Sequence, residues 1–441
     1  MALPITRGRI LQLAWPIVLA NSAVPLLGLV DTAVIGNTGR VTDLGAISLG
    51  ALVFNFVFWG FGFLRMGTTG FTAQASGKAD SAEVRAVFAR ALLLAFALGV
   101  GLVALQVPIR WAALALLGAS PEVEGLTRQY FHIRIWAAPA SLGVFAALGT
   151  LIGLGRTRQV LVVQVVLNGL NAVLDILFAG VLGWGVRGIA LGTTTAEWIT
   201  FGVAFVLVRR ILREERGDAE PWWPRERILD AGAARAMLSA NGDILVRTLF
   251  LLLGFAWFTN QGALFGDDIL AANHVLLQLV SLSAYLLDGY AHATEILVGR
   301  AVGAGAKDLF DRAVRLSTQM AAVTAVALST LALLAGPAVI RLLTDLDPVR
   351  AVALAFLPWT ALYILLSFGA FQLDGVFIGA TGTRAMRNAS VLSFTGFLVA
   401  SLALVPLAGN TGLWVSFVAF VVLRAVALWI RYPGLRAERL P

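Results

Sequence analysis

Three polar side chains share one face of an apolar segment in the first half of the chain. Asn168, Asn171 and Asp175 are separated by three and four residues, the spacing that places side chains along one face of a helix. Carboxylates and amides are costly in hydrocarbon unless they face an interior, find partners or take up a proton. The stripe therefore predicts an acidic site that binds a proton or another cation within a membrane helix.

A second acid, Asp31, lies near the end of the first apolar segment, which contains Pro16, Pro25 and Gly28. Prolines remove backbone hydrogen bonds and allow a helix to bend. We expect Asp31 and Asp175 to share a desolvated pocket in which one carboxyl takes up a proton near neutral pH. The alternative is that neighbouring arginines neutralise both acids purely for packing.

A further polar group lies in the second half of the sequence. Asp288, His292 and Glu295 share a helix face, and two acids beside an imidazole are able to relay protons or to bind a cationic solute. The alternative is a solvated group near a helix end.

Two other acids of the second half receive different interpretations. Asp374 is alone in its apolar segment, which suits a charge that faces a cavity. Asp243 and Arg247 are four residues apart, so we expect them to pair with each other.

The composition shows what kind of element must position these residues. Of 441 residues, 59% are hydrophobic and only 13% are charged, so lipid must be the main solvent and the chain is predicted to be an all-α integral membrane protein. A helix needs about 20 apolar residues to cross a bilayer. Twelve stretches of that length are predicted at residues 10–37, 44–72, 86–109, 130–153, 159–183, 188–210, 236–262, 269–298, 312–336, 350–380, 387–408 and 411–431.

The basic residues indicate the orientation of these helices. If the N-terminus is cytoplasmic, 23 of the 33 Lys and Arg residues lie in inside segments and seven lie outside, with Arg65, Arg247 and Arg424 within spans. Positive charge in short cytoplasmic loops orients membrane helices, so both termini are expected in the cytoplasm. The net charge of +8 therefore needs no nucleic-acid partner.

The two halves of the sequence repeat each other. A constant offset of 226 aligns eight identical positions within one short window, beginning with Ser141 on Ser367 and ending with Arg158 on Arg384. Gly149 and Gly153 align with Gly375 and Gly379 as GxxxG motifs, which let helices approach closely. The alternative is a coincidence of Gly and Ala. The repeat predicts two pseudo-symmetric six-helix lobes, at residues 1–212 and 236–441, joined by a cytoplasmic linker at 213–235.

The repeat fails at two of the acids. Asp31 corresponds to Trp257, and Asp374 corresponds to Leu148. Neither carboxylate belongs to the duplicated framework, so the two halves are predicted to be specialised.

Enzyme and metal signatures are not supported. The chain has no cysteine, and its three histidines lack metal-ligand spacing. The GxGxxG pattern that begins at Gly183 lies in a turn between spans without a preceding strand. Neither a GxSxG nor a nucleotide-binding motif occurs, so the chain is not expected to be an enzyme or to hold a cofactor. Parallel repeats suit alternating-access transport, which an ion gradient is expected to drive without a nucleotide site.

Several segments together resemble the multidrug and toxic compound extrusion (MATE) family, in particular its DNA-damage-inducible F (DinF) branch. The cues are Trp15-Pro16 followed by 30–36, the polar pair of Asn171 and Asp175, the sequence Gly188-Ile-Ala-Leu-Gly-Thr193, and residues 373–380 followed by Met386-Arg387-Asn388. The resemblance implies a cation site for H⁺ or Na⁺ made by Asp31, Asn171, Asp175 and Thr193. Other branches have an acid in the seventh helix, where this chain has the apolar run 249–258.

The resemblance also implies the function. We expect a monomeric antiporter of the bacterial inner membrane that contacts membrane lipids and exports small organic compounds, often cationic or amphipathic, in exchange for H⁺ or Na⁺. The alternative is a lipid-linked saccharide flippase of the same superfamily, in which Arg65, Arg247 and Arg424 would bind phosphates.

Overall fold

The computed structural model describes residues 5–23, 34, 40–117, 120–214 and 221–440. Within these ranges every regular element is a helix. In the first half the helices are α1 (Arg7–Ser22), α2 (Val41–Gly60), α3 (Phe63–Gly77), α4 (Ser81–Ala104), α5 (Gln106–Leu117), α6 (Pro121–Arg134), α7 (Ala138–Gly153), α8 (Thr157–Asp175) and α9 (Gly185–Glu214). The second half contains α10 (Arg225–Ile228), α11 (Ala231–Ala263), α12 (Asp267–Gly303), α13 (Lys307–Leu343), α14 (Asp347–Gly379) and α15 (Thr383–Arg439).

The described residues form ten helical stretches that are long and apolar enough to cross a membrane. The last of these, α15, has 57 residues, far more than the roughly 20 that one crossing needs. It is interrupted at Gly409, where φ is 55° and ψ is −132°, so it contains two of the predicted crossings. The helix α1 covers the beginning of the predicted first crossing. The prediction of an all-helical membrane protein is confirmed.

The chain forms two compact units. The N-unit comprises residues 19–237, and the C-unit comprises residues 1–18 together with 238–441. In the C-unit, α1 packs closely on α12 at Gly289. A Cβ atom on this glycine would lie only 3.2 Å from the carbonyl oxygen of Ala14. Residues 1–18 thus group by contacts with the second half of the sequence, and the lobe boundaries at 1–212 and 236–441 stay a prediction.

The helix ends reproduce the repeat bond for bond. After α3, the amides of Lys78, Ala79 and Asp80 donate to the carbonyls of Gln74, Ser76 and Ala75; after α12, the amides of Ala304, Gly305 and Ala306 donate to those of Arg300, Val302 and Ala301. The ends of α7 and α14 match in the same way. At the left-handed positions of these turns, Ala79 corresponds to Gly305 and Gly155 corresponds to Thr381, with φ between 52° and 64°.

The paired GxxxG motifs make the same helix crossing in both units. A Cβ atom on Gly153 would lie 2.8 Å from the carbonyl oxygen of Thr69, and one on Gly379 would lie 2.6 Å from that of Glu295. Thr69 and Glu295 are themselves related by the offset of the repeat. The predicted duplication is confirmed down to the atoms at which the helices cross.

The offset of the repeat changes at the turn before the last helix of each unit. A Cβ atom on Gly188 would lie 2.7 Å from the backbone of Phe178, and one on Gly412 would lie 2.6 Å from the backbone of Leu404. Phe178 and Leu404 keep the offset of 226, but Gly188 and Gly412 are related by an offset of 224. The second turn is thus shorter by two positions, and the last helices correspond at the smaller offset.

An arginine of the linker is tied to the N-unit. The Nη1 atom of Arg227 lies 2.5 Å from Oδ2 of Asp80 and 3.8 Å from Oε2 of Glu83. Partial burial works against the charged form of Asp80, but the hydrogen bonds from Arg227 and from the Glu83 amide outweigh it and lower its pKa. The end of the linker is therefore anchored on the turn between α3 and α4.

Candidate cation-binding site

The helices α8 and α9 bring a buried amide and a buried hydroxyl together. Asn171 Nδ2 donates to Thr193 Oγ1 at 3.0 Å, and Thr193 Oγ1 donates to the carbonyl of Ile189 at 2.9 Å. The side-chain oxygen of Asn171 is buried and accepts no hydrogen bond from the described residues. An amide oxygen in this position is a hard ligand that could coordinate Na⁺. It could equally accept a hydrogen bond from a protonated group.

Asp175 is the last residue of α8 and has no exposed surface. Its carboxylate lies against Gly192 of α9, since a Cβ atom on that glycine would overlap Oδ1 of Asp175. The helix continues as a π-turn at Ile176–Val181, a distortion that often occurs at functional sites. The structure thus gathers Asn171, Asp175 and Thr193 at one place in the N-unit.

Asn168 faces the end of α1. Its Nδ2 atom donates to the carbonyl of Ala23 at 2.9 Å, and its Oδ1 atom accepts from Gln164 at 3.0 Å. Ala23 is the last described residue before 24–33. Asp31 lies outside the described residues, and its place in the site stays a prediction.

The corresponding positions of the C-unit hold aromatic and uncharged side chains. Asn171 and Thr193 correspond to Phe397 and Phe417, whose ring centroids are 5.9 Å apart. Asp175 corresponds to Ser401, which accepts a 2.8 Å hydrogen bond from Nε1 of Trp257. At these three positions the C-unit therefore has two rings and a hydroxyl in place of the amide, the hydroxyl and the carboxylate.

The N-unit has a second polar cluster, which the spacing of its residues in the sequence did not predict. Arg134 is buried and bonds both carboxylate oxygens of Glu197, and Ser141 also donates to Glu197. The guanidinium lies 5.2 Å from the ring centroid of Phe54. Glu197 is one helical turn from Thr193, so this charge-balanced pair supports the helix that contributes to the candidate site.

The C-unit has a charged cluster of its own. Asp374 of α14 pairs with Arg247 of α11, and Nη2 of Arg424 in α15 lies 3.8 Å from Oδ2 of Asp374. All three side chains are at most 9% exposed. Asp374 is therefore held between two arginines.

The predicted pairing of Asp243 with Arg247 is wrong. Asp243 instead bonds Arg387 at 2.7 Å and Thr383 at 3.0 Å, both in α15, while Arg247 bonds Asp374. Neighbouring helices provide these partners, and a spacing of four residues within one helix does not reveal them.

Of the three residues of the predicted relay, His292 and Glu295 are in contact in the structure. His292 Nδ1 lies 3.1 Å from Oε1 of Glu295, and both side chains are buried. Asp288 is half-buried on the same helix. A part in proton transfer stays a prediction for these three residues.

Comparisons with known proteins agree with this architecture. The family model described as MatE matches residues 16–177 and 244–405. The DNA damage-inducible protein F of Escherichia coli (strain K12) is 38% identical over 424 residues, covering 96% of this chain and 91% of that protein. A probable multidrug resistance protein NorM of Deinococcus radiodurans is 27% identical over 453 residues, with 96% and 94% covered.

Solved structures share the fold. A crystal structure of MATE in complex with MaL6 has a TM-score of 0.86 at 20% identity and covers 98% of this chain and 97% of that one. The outward-facing conformation of a multidrug resistance MATE family transporter has a TM-score of 0.84 at 20% identity, with 98% and 97% covered.

The duplicated helical fold is that of a membrane transporter family rather than an enzyme. The chain belongs to the MATE family of multidrug efflux transporters, which move small organic compounds, and it is similar to the DNA damage-inducible protein F. It is a multi-pass membrane protein with bacterial relatives.

Proposed function

We propose that the chain is an antiporter that exports organic compounds, often cationic or amphipathic, in exchange for H⁺ or Na⁺. The observation that carries this proposal is the buried Asp175 beside Asn171 and Thr193, at positions where the other half has Ser401, Phe397 and Phe417. An ionisable group at membrane depth is a functional candidate because leaving it there without a role is costly. The framework is duplicated, whereas the acid is found in one half.

The repeat supports a place for Asp31 next to Asp175. Trp257 corresponds to Asp31 and Ser401 corresponds to Asp175, and Trp257 donates a 2.8 Å hydrogen bond to Ser401. If the first half repeats this contact, the two carboxylates share one pocket. Two such groups at close range do not both stay ionised in a dry site, so the pair takes up a proton or a cation.

The coupling follows from competition for this pocket. A proton that enters from outside neutralises the pair, the predicted first crossing (residues 10–37) bends at Pro16 or Pro25, and bound substrate leaves. Asn168 supports this step, because it holds the carbonyl of Ala23 at the end of α1. With Na⁺ as the coupling ion, the amide oxygen of Asn171, which accepts no hydrogen bond from the described residues, would join the carboxylates as a ligand.

Purified protein in liposomes loaded with ethidium tests the proposal, with proton and sodium gradients imposed separately. We expect ion-driven efflux in the wild type, and efflux at the level of empty liposomes in Asp31→Asn and in Asp175→Asn. Asp268→Asn is the matched control, because it removes an exposed acid at the start of α12. Efflux that continues unchanged in both site variants would reject the proposed coupling.

The remaining expectations belong to the same proposal. The antiporter would act as a monomer in the bacterial inner membrane with both termini in the cytoplasm, its lobes at 1–212 and 236–441 and its linker at 213–235. A lipid-scrambling assay on the same liposomes separates this antiporter from the lipid-linked saccharide flippase.

A further inference from the structure

The charged cluster of the C-unit carries an excess of positive charge. Arg247 and Arg424 both lie against the carboxylate of Asp374, and these three side chains sum to a formal charge of +1. The neighbouring Asp243 is paired with Arg387, and including that pair leaves the sum at +1. Glu295 of α12 has its own partner in His292.

The cluster also has unused hydrogen-bonding capacity. Among the described residues, the buried Nε–H group of Arg424 has no hydrogen-bond acceptor, and the buried Oδ1 of Asp374 has no donor. Arg424 lies 3.8 Å from Asp374 and 5.9 Å from the ring centroid of Phe371. A guanidinium that is nine-tenths buried with an open donor is costly, and an anionic oxygen would satisfy it.

The charges have no counterpart in the repeat. Arg247 corresponds to Asn21, Asp374 to Leu148 and, at the offset of the last helices, Arg424 to Thr200. The N-unit has a buried ion pair, but in it one arginine faces one acid, Arg134 with Glu197. These three charges are therefore not part of the shared framework.

We infer that this cluster binds the negatively charged group of an amphipathic compound, a carboxylate or a phosphate. Guanidinium groups bind such groups through paired, charge-assisted hydrogen bonds. Asp374 acts as the internal counter-ion: it neutralises one arginine and leaves the other for the ligand. Phe371, beneath Arg424, provides an apolar surface beside the charge. The inference concerns the C-unit alone and does not depend on cation coupling at Asp175.

Equilibrium binding to the full-length protein in a non-ionic detergent tests this inference. The probes are hexyl phosphate, inorganic phosphate and hexyltrimethylammonium, which has the same tail and the opposite charge. We expect hexyl phosphate to bind and hexyltrimethylammonium to show no binding that depends on these three residues. Nanodiscs with and without an anionic lipid form a second arm, in which competition by the anionic lipid would identify a headgroup as the ligand.

The formal charge of the cluster predicts opposite changes in hexyl phosphate affinity for the two single variants. Arg424→Gln lowers the cluster to zero and should weaken hexyl phosphate binding about tenfold or more, the equivalent of one charge-assisted hydrogen bond. Asp374→Asn raises the cluster to +2 and should strengthen binding several-fold. The double variant returns to +1 and should bind within a few-fold of the wild type. Arg436→Gln is the matched control, because Arg436 is in the same helix but is paired with Asp311, and its affinity should not change.

Several outcomes would overturn the inference. One is that hexyl phosphate, inorganic phosphate and anionic lipid all fail to bind the wild type. Another is that a folded Asp374→Asn protein binds hexyl phosphate more weakly, as a purely structural ion pair would predict. Because Asp374→Asn is expected to bind hexyl phosphate more tightly, this variant tests the inference even if Arg424→Gln fails to fold. Ethidium efflux driven by an ion gradient is measured separately, so failure here and failure of the antiport proposal are distinguishable.

Discussion

The acidic site of the N-unit and its counterpart in the C-unit occupy the same place in the repeat but contain opposite kinds of side chain. In the N-unit, a hydrogen bond joins Asn171 to Thr193 beside the buried Asp175. In the C-unit, the corresponding contact is between the rings of Phe397 and Phe417. The helix crossings and helix ends around both places are the same. A duplicated frame can therefore keep its backbone contacts while one copy carries a polar site and the other a packed aromatic core.

The largest effect on transport is expected when Asp175 and its counterpart Ser401 are substituted one at a time. Asp175→Ser gives the N-unit the residue that the C-unit has, and we expect ethidium efflux to fall to background because the exchangeable charge is lost. Ser401→Ala should leave efflux within about twofold, because it removes one ordinary hydrogen bond. Liposome efflux measures both. Equal losses in the two variants would show that the halves share the coupling.

Phe397→Asn introduces the N-unit's amide into the aromatic core. Loss of the ring beside Phe417 and burial of an unpaired amide should reduce the free energy of unfolding by about 3–5 kcal/mol. Thermal unfolding followed by tryptophan fluorescence measures the loss, and Phe397→Leu, which stays apolar, should lose less. Equal losses in Phe397→Asn and Phe397→Leu would show that packing of an apolar side chain at this position does not stabilise the C-unit.

Alanine at the paired glycines tests whether the two frames are equivalent. Gly153→Ala and Gly379→Ala each place a Cβ atom within 2.8 Å of a carbonyl oxygen on the crossing helix, and each should cost about 1–3 kcal/mol. Gly202→Ala is the control, because no described atom lies within 4 Å of its added Cβ; it should be neutral or slightly stabilising. A large loss in only one unit would contradict a shared crossing.

The smallest effect is expected at the linker, where acid should loosen the pair of Asp80 and Arg227. Because the pKa of Asp80 is lowered in the folded protein, its stabilisation is present above the unfolded value of about 3.9 and is lost as the pH falls through the folded value. This exposed pair should contribute about 0.2–1 kcal/mol. Unfolding measured against pH should show a shallower acid dependence in Asp80→Asn, and an unchanged dependence would mean that the pair does not form.

The sequence predicted what periodicity and repetition reveal. Spacings of three and four residues placed Asn168, Asn171 and Asp175 on one helix face, and a constant offset identified the two halves. Thr193 followed only from family resemblance, because nothing in its own spacing relates it to α8.

The ion pairs could not be predicted in this way. Arg134 and Glu197 are 63 residues apart, and Arg247 and Asp374 are 127 apart, so their contacts depend on how helices pack. The same reason explains the wrong pairing of Asp243, for which α15 provides better partners than its own helix. The sequence suggested a lone acid at Asp374, whereas the structure encloses it between Arg247 and Arg424.

Proton release on substrate binding tests the asymmetric acidic site most directly. Ethidium is added to the purified protein in weakly buffered detergent solution, and the change in pH is recorded. We predict release from the wild type and from Asp374→Asn, and none from Asp31→Asn or Asp175→Asn. Release that continues in the double variant of Asp31 and Asp175, or that disappears in a folded Asp374→Asn protein, would contradict a coupling site confined to the first half of the chain.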